Sequence, residues 1–208
     1  MASQHRLVIA GTGTEIGKTW VAVQLLRHAR TLGLRVSARK PAQSYVQGEG
    51  PTDAELLAAA SGEDPHVVCP SHRWYPVPMA PPMAADALGL APIKLEKLVA
   101  ESAWPLNVEL AVIETAGGLC SPISHDADNL ALIEKLAPTH VILVADAGLG
   151  TLNAVRLCLR ALNGRPTTVF LNRFDASNEL HARNREWLVN EAVRVETGIA
   201  PLMDAVTT

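Results

Sequence analysis

Hydrophobic residues along the chain fall into short continuous runs. Five of them, at residues 7–10, 36–38, 110–113, 141–145 and 168–171, have the composition of strands buried on both faces, as parallel strands are. Between them, apolar positions recur at helical spacing over 18–32, 53–60, 95–103, 130–136, 151–162 and 184–195. This alternation predicts right-handed crossovers and an α/β fold: a doubly wound, mostly parallel sheet with helices on both faces, filling residues 1–208 as a single domain. The stretch 69–92 breaks the rhythm. Pro70, Pro76, Pro78, Pro81, Pro82 and Pro92 fix φ and remove backbone donors, so an ordered loop covering the sheet's edge is expected there.

Composition narrows the class of partner. The 208 residues are 48% hydrophobic and 19% charged, which suits a globular chain with a substantial core. A net charge of -3 gives no electrostatic case for nucleic acid or an anionic membrane. Cys69, Cys120 and Cys158 are far apart and in no Cys-x-x-Cys pattern, so they read as reduced packing thiols. Residues 1–6 run straight into an apolar strand without a signal-peptide core, and no apolar run approaches the roughly 20 residues that span a bilayer; a cytoplasmic location is expected. His125, beside Asp126 and Asp128, lacks metal-ligand spacing and reads as part of a solvated loop.

The chemistry begins after the first strand. Gly11-Thr12-Gly13-Thr14-Glu15-Ile16-Gly17-Lys18-Thr19 follows an apolar run and opens a helix, the context in which backbone N–H groups and a helix N-terminus receive phosphate. Lys18 is expected on the β- and γ-phosphates and Thr19 on a magnesium ion. Thr12 stands where the strict pattern has glycine, so the loop is a variant. Glu114 ends the third apolar run, at the sheet edge where open α/β folds bind ligands, and Thr115, Ala116, Gly117 and Gly118 after it allow close backbone approach. Glu114 is also readable as a strand-end carboxylate reaching solvent. Lys40, held extended by Pro41, projects from the same edge and suits an anion; the ordinary alternative is an exposed lysine adding little to the core. Asp53 reads most simply as a residue favouring a helix start.

Four segments together resemble the dethiobiotin synthetase family, in order and spacing: the loop 11–19, Lys40-Pro41-Ala42-Gln43-Ser44, Glu114-Thr115-Ala116-Gly117-Gly118 and Leu149-Gly150-Thr151-Leu152-Asn153. The resemblance implies ATP-dependent carboxylation of 7,8-diaminopelargonate by CO2 and closure to a cyclic urea, with ADP and phosphate as products. It also implies Lys40 and Lys18 as catalytic groups, and Thr19, Asp53 and Glu114 around Mg2+. Nucleotide contacts would come from Glu15, Ile16, Gly17, Lys18, Thr19, Trp20, Asp53, Glu114, Thr115, Ala116, Gly117, Asn172, Ala200, Pro201 and Leu202. Thr14 and Ser44 would face the diamine and carbamate. Gly150, Thr151, Leu152 and Asn153 would bind the diamine's carboxylate tail across a homodimer interface, although Thr151 and Asn153 also suit helix capping.

The chain departs from the family at Gly13, often aspartate, at Thr115 and Tyr45, often glycine, and in a short region after Asn172. Tyr45 is expected to narrow the diamine pocket or redirect the loop after it. Asn172-Arg173-Phe174-Asp175 has the Asn and Asp spacing of a guanine-reading motif with arginine in place of lysine, so another nucleoside triphosphate competes, but ATP is retained as the expected nucleotide. Rival readings are a regulatory or partitioning ATPase, which normally has an additional lysine where Gly13 stands, a cobyrinate-type amide synthase, which normally carries a glutaminase domain, and a nucleotide-binding module without catalysis.

Overall fold

The computed structural model describes residues 4–207. A six-stranded sheet runs in the order β2-β5-β1-β6-β7-β8, with every pairing parallel. Its strands are β1 (His5–Gly11), β2 (Val36–Arg39), β5 (Leu110–Glu114), β6 (His140–Asp146), β7 (Thr167–Asn172) and β8 (Val195–Glu196). β3 (Gln43–Ser44) and β4 (Trp74–Tyr75) make a separate parallel pair. Strand periodicity divides the core in two. Leu7 and Ile9 of β1 point to one face, Val8 and Ala10 to the other.

On the first face pack α1 (Lys18–Thr31), α2 (Asp53–Ser61) and α9 (Ile199–Thr207), through residues such as Leu25, Leu57 and Met203. On the second pack α4 (Pro81–Ala87), α5 (Leu95–Glu101), α6 (Asn129–Leu136), α7 (Thr151–Leu162) and α8 (Glu179–Asn190), through Ala85, Leu98, Leu132, Val155 and Leu188. α3 (Pro65–Val68) is a single turn joining α2 to the proline-rich stretch. Each fully buried Leu or Ile contributes on the order of 2 kcal/mol by leaving water, so the two apolar layers hold the helices against the sheet. The expected doubly wound arrangement is present.

Two regions differ from expectation. The stretch 69–92 is not a plain loop: it contains β4 and α4, with Cys69 in the apolar core on the sheet's first face and Tyr75, Ala84 and Ala85 in that on the second. Proline permits this because Pro81 and Pro82 occupy the first turn of α4, where N–H groups have no intrahelical acceptor. The last long helix starts five residues before the expected 184. Asn178 caps it by accepting from the Leu180 and His181 N–H groups, and Ala192, at φ +59°, reverses the chain after it. Val195, expected to end that helix, lies in β8, and α9 follows.

Among the described residues no helix is long and apolar enough to cross a membrane. The three cysteines are free. Burial pushes the Cys69 thiol up to about 12 and that of Cys158 up to about 11, whereas Cys120 is exposed. Iodoacetamide labelling of the folded protein, read by peptide mass spectrometry, should therefore modify Cys120 first; labelling of Cys69 ahead of it would contradict this packing.

Candidate active site

Functional groups gather at the carboxyl ends of β1, β2 and β5, beside the point where strand order reverses. The phosphate loop leaves β1 at Gly11 and enters α1 at Lys18. Thr12 N–H donates to Val144 O at 3.0 Å, and Lys18 Nζ donates to Gly13 O at 2.9 Å, curling the loop over the helix end. Gly17 has φ +90°, and a Cβ there would run into Asn172 Nδ2, so the position requires glycine. Thr12 is not among the residues of positive φ, so its side chain in place of the pattern's first glycine brings no backbone strain.

Beside the loop stands a compact charge cluster. Lys40 Nζ lies 2.6 Å from Glu114 Oε1 and 2.7 Å from Asp53 Oδ2. Thr19 Oγ1 is 2.8 Å from Asp53 Oδ1 and 2.9 Å from Glu114 Oε1. Lys40 and Glu114 are 2% and 1% exposed, which corrects both ordinary alternatives: this lysine is neither exposed nor marginal to the core, and this carboxylate does not reach solvent. Asp53 opens α2, yet the helix start is secured by Thr52, which forms a capping box with Glu55. Gln43 Oε1 accepts the Ala54 N–H at 2.9 Å and fixes that helix end against β3. Asp53 is thereby left to face Lys40 and Thr19.

The electrostatics follow from burial. Desolvation lowers the Lys40 pKa, but the adjacent Asp53 and Glu114 charges outweigh it and hold the ammonium above the ordinary lysine range. Lys40 in turn holds Asp53 below the usual carboxylate range. Burial pushes Glu114 up, against the pull of Lys40. Burial, then repulsion from Lys40, brings Lys18 down to about 8. Glu114 Oε2 is buried with no partner, an arrangement that is costly unless a ligand engages the carboxylate.

A cleft of about 640 Å³ opens over this cluster. Of the expected nucleotide and substrate residues, Thr14, Glu15, Gly17, Lys18, Thr19, Ser44, Asp53, Glu114, Ala116 and Gly117 line it, with Lys40 at its floor. Thr115 turns inward, its N–H and hydroxyl bonded to Ile9 O at 3.0 and 3.3 Å. Trp20 and Asn172 line a second pocket of about 470 Å³ with Gly17, Phe170, Arg173, Phe174 and Thr197. Ala200, Pro201 and Leu202 do not line it; Leu202 is a core residue, and Thr197 supplies the wall. Gly150, Thr151, Leu152 and Asn153 open α7 and line neither pocket; Leu149 before them is 93% exposed. Tyr45 does not narrow the cleft, because it meets the Trp74 ring edge-on at 6.2 Å. Asp175 is engaged by the Ser177 N–H and hydroxyl at 2.9 and 2.7 Å and takes no part in the second pocket.

Several site residues carry no local sequence signal. Asn129 is fully buried, and its Nδ2 donates to Ala116 O, Gly118 O and Ser121 O at 2.6, 2.8 and 3.3 Å, so it ties down the glycine-rich turn after β5. Pro78, Met79, Ala80 and Pro81 form the opposite wall of the cleft, and Ser44 Oγ donates to Met79 O at 2.6 Å. Asn129→Ala strands those carbonyls in the interior; it should lower unfolding stability by about 2 kcal/mol in urea titration, and an unchanged midpoint would contradict the role given to its amide.

Residues 5–201 match a family model described as an AAA domain. The ATP-dependent dethiobiotin synthetase BioD of Streptomyces avermitilis is 40% identical over 161 residues, covering 76% of this chain and 66% of that protein. Its namesake from Caulobacter vibrioides is 38% identical over 168 residues, covering 78% and 76%. That of Anaeromyxobacter dehalogenans is 42% identical over 164 residues, covering 76% and 71%. The matched segment thus spans about two thirds to three quarters of these relatives. Among solved structures, the signal recognition particle receptor FtsY from Elizabethkingia anophelis aligns with 100% of this chain and 67% of its own at TM-score 0.56 and 14% identity, a likeness of fold alone. With sequence identity of this extent and a phosphate loop on a parallel sheet, the chain belongs to the ATP-dependent dethiobiotin synthetase family.

Proposed function

We propose that this chain uses ATP to join CO2 to 7,8-diaminopelargonate and close the ring of dethiobiotin. The observation that carries the reading is the buried Lys40 ammonium, held against Asp53 and Glu114 in the cleft that also contains Lys18, Thr14 and Ser44. Carboxylation gives a carbamate on one amine. A carbamate oxygen attacks the γ-phosphorus as the bond to the bridging oxygen breaks and ADP leaves. The second amine then attacks the acyl carbon, phosphate departs with the bonding electron pair, and the amine proton passes to solvent.

Each step creates or moves negative charge, which fixed cations stabilise without reorganising. Lys40 meets the carbamate and the transferring phosphoryl group. Lys18, with a pKa of about 8, stays largely protonated at neutral pH and reaches the β- and γ-phosphates. Thr14 and Ser44 orient the diamine and carbamate along the cleft. The second pocket suits the base, with Trp20 and Phe174 offering aromatic faces.

The oxygen set of Thr19, Asp53 and Glu114 fits Mg2+: the Thr19 hydroxyl donates to both carboxylates, which together hold the Lys40 ammonium and leave Glu114 Oε2 unpartnered. Among the described residues no three His, Cys, Asp or Glu side chains form a metal cluster, which accords with an ion that draws its other ligands from phosphate and water. When bound, the ion neutralises charge on the phosphate oxygens. The homodimer belongs to the same proposal: the exposed Leu149 and the opening of α7 at Gly150, Thr151, Leu152 and Asn153 suit a surface covered by a second copy, whose cleft would receive the diamine's tail. Free cysteines suit the reducing cytoplasm.

The test is incubation with diaminopelargonate, bicarbonate, Mg2+ and ATP, with mass spectrometry for dethiobiotin. Formation of the product is expected, and nucleotide binding without it would overturn the assignment. Lys40→Met should lower turnover at least about a hundredfold. The same variant should also lose about 3 kcal/mol of stability, because it leaves the buried Glu114 uncompensated. A wild-type rate in this variant would remove Lys40 from the reaction.

A further inference from the structure

Two consecutive residues at the end of β7 hold the phosphate loop from behind. Asn172 Nδ2 donates to Ile16 O at 2.8 Å, and Arg173 Nη2 donates to Glu15 O at 2.8 Å. Arg173 is itself braced, with Nη1 at 3.2 Å from Asp146 Oδ2 at the end of β6. Asp146 Oδ1 in turn accepts the Gly148 N–H at 2.8 Å. Arg173 and Glu15 both have positive φ, +55° and +56°. Two non-glycine residues held in that region and joined by one hydrogen bond indicate a backbone shape imposed by its surroundings.

The consequence lies in peptide geometry. A trans peptide is planar, and its C=O points opposite to the N–H of the next residue. Tying Glu15 O and Ile16 O toward β7 therefore turns the Ile16 and Gly17 N–H groups to the other side of the loop, where Glu15, Gly17 and Lys18 line the cleft. Among the described residues neither N–H has a protein acceptor. Successive amides aligned in this way make an anion-binding concavity. The side chain of Arg173 is 60% exposed, and its hydrogen bonds end on the loop and on Asp146, so it does little for the core.

We propose that Arg173 is a positioning residue of the nucleotide site: by holding Glu15 O it sets the phosphate-loop amides for a polyphosphate, whatever base is attached. The proposal rests on the nucleotide-binding reading above. The competing role is a local one, since Arg173 also walls the second pocket and would there touch only the base. A polyphosphate without a base separates the two.

Binding of ATP and of inorganic tripolyphosphate, both with Mg2+, would be measured by titration calorimetry for the wild type, Arg173→Ala and Arg173→Lys. Arg173→Ala should weaken both ligands by a similar factor of about tenfold, the scale of one charge-assisted hydrogen bond at a partly exposed site. Arg173→Lys should recover part of the loss. In steady state the KM for ATP should rise with kcat little changed, because the amides hold the phosphates alike before and during transfer. Loss of ATP affinity with tripolyphosphate binding unchanged overturns the proposal in favour of a base contact, and unchanged binding of both ligands overturns it outright. A wild type that binds neither ligand overturns the nucleotide reading as well, so the two failures are distinguishable.

Discussion

The site depends on one buried ammonium. Lys40, 2% exposed, sits between a fully buried glutamate from the central sheet and an aspartate from the first turn of α2. Removing such charges from water is costly, and they remain charged in the interior only because each is paired and hydrogen-bonded. Lys18 and Lys40 against Asp53 and Glu114 give the cluster two charges of each sign. A polyphosphate entering the cleft above this charge-balanced cluster meets cations already in place. Glu114 Oε2 stays unpartnered, and burial with the neighbouring Lys40 lowers Lys18 to about 8.

The fold exists around that constraint. Parallel strands buried on both faces bring β1, β2 and β5 side by side, so that the residues following or ending them, Gly11, Lys40 and Glu114, share one edge although distant in sequence. The capping box at Thr52 aims α2 without using Asp53, and Asn129 and Asn172 fasten the two glycine-rich turns from outside. Rigid elements thus carry the charged groups, while buried amides shape the loops between them.

The sequence makes legible what is periodic or contiguous. Strands with continuous Val, Ile and Leu, the helices of the first two thirds, and the phosphate loop all announce themselves locally, and family likeness brings Lys40, Asp53 and Glu114 to the same place. What stays hidden depends on partners far along the chain. The burial of Lys40 follows from packing, and nothing around Lys40-Pro41 distinguishes it from a solvent-facing lysine. Asn129 stands just before the helical pattern at 130–136 with no signal of its own, because its acceptors lie in another loop. The contacts of Asn172 and Arg173 with Ile16 and Glu15 span more than 150 residues. Proline's removal of donors argued against a helix near 81, yet the same property suits a helix's first turn, and only the position of Pro81 and Pro82 within α4 decides between them.

If the buried ammonium organises the site, its energy is inseparable from that of its partner, and a double-mutant cycle of Lys40→Met and Glu114→Gln measures this directly by denaturant unfolding. Each single change should destabilise the protein. The double change should cost clearly less than their sum, because it removes both members of the buried pair, while turnover stays lost. Stability losses that simply add would contradict the account, for they would mean that Lys40 and Glu114 do not sense one another in the folded protein.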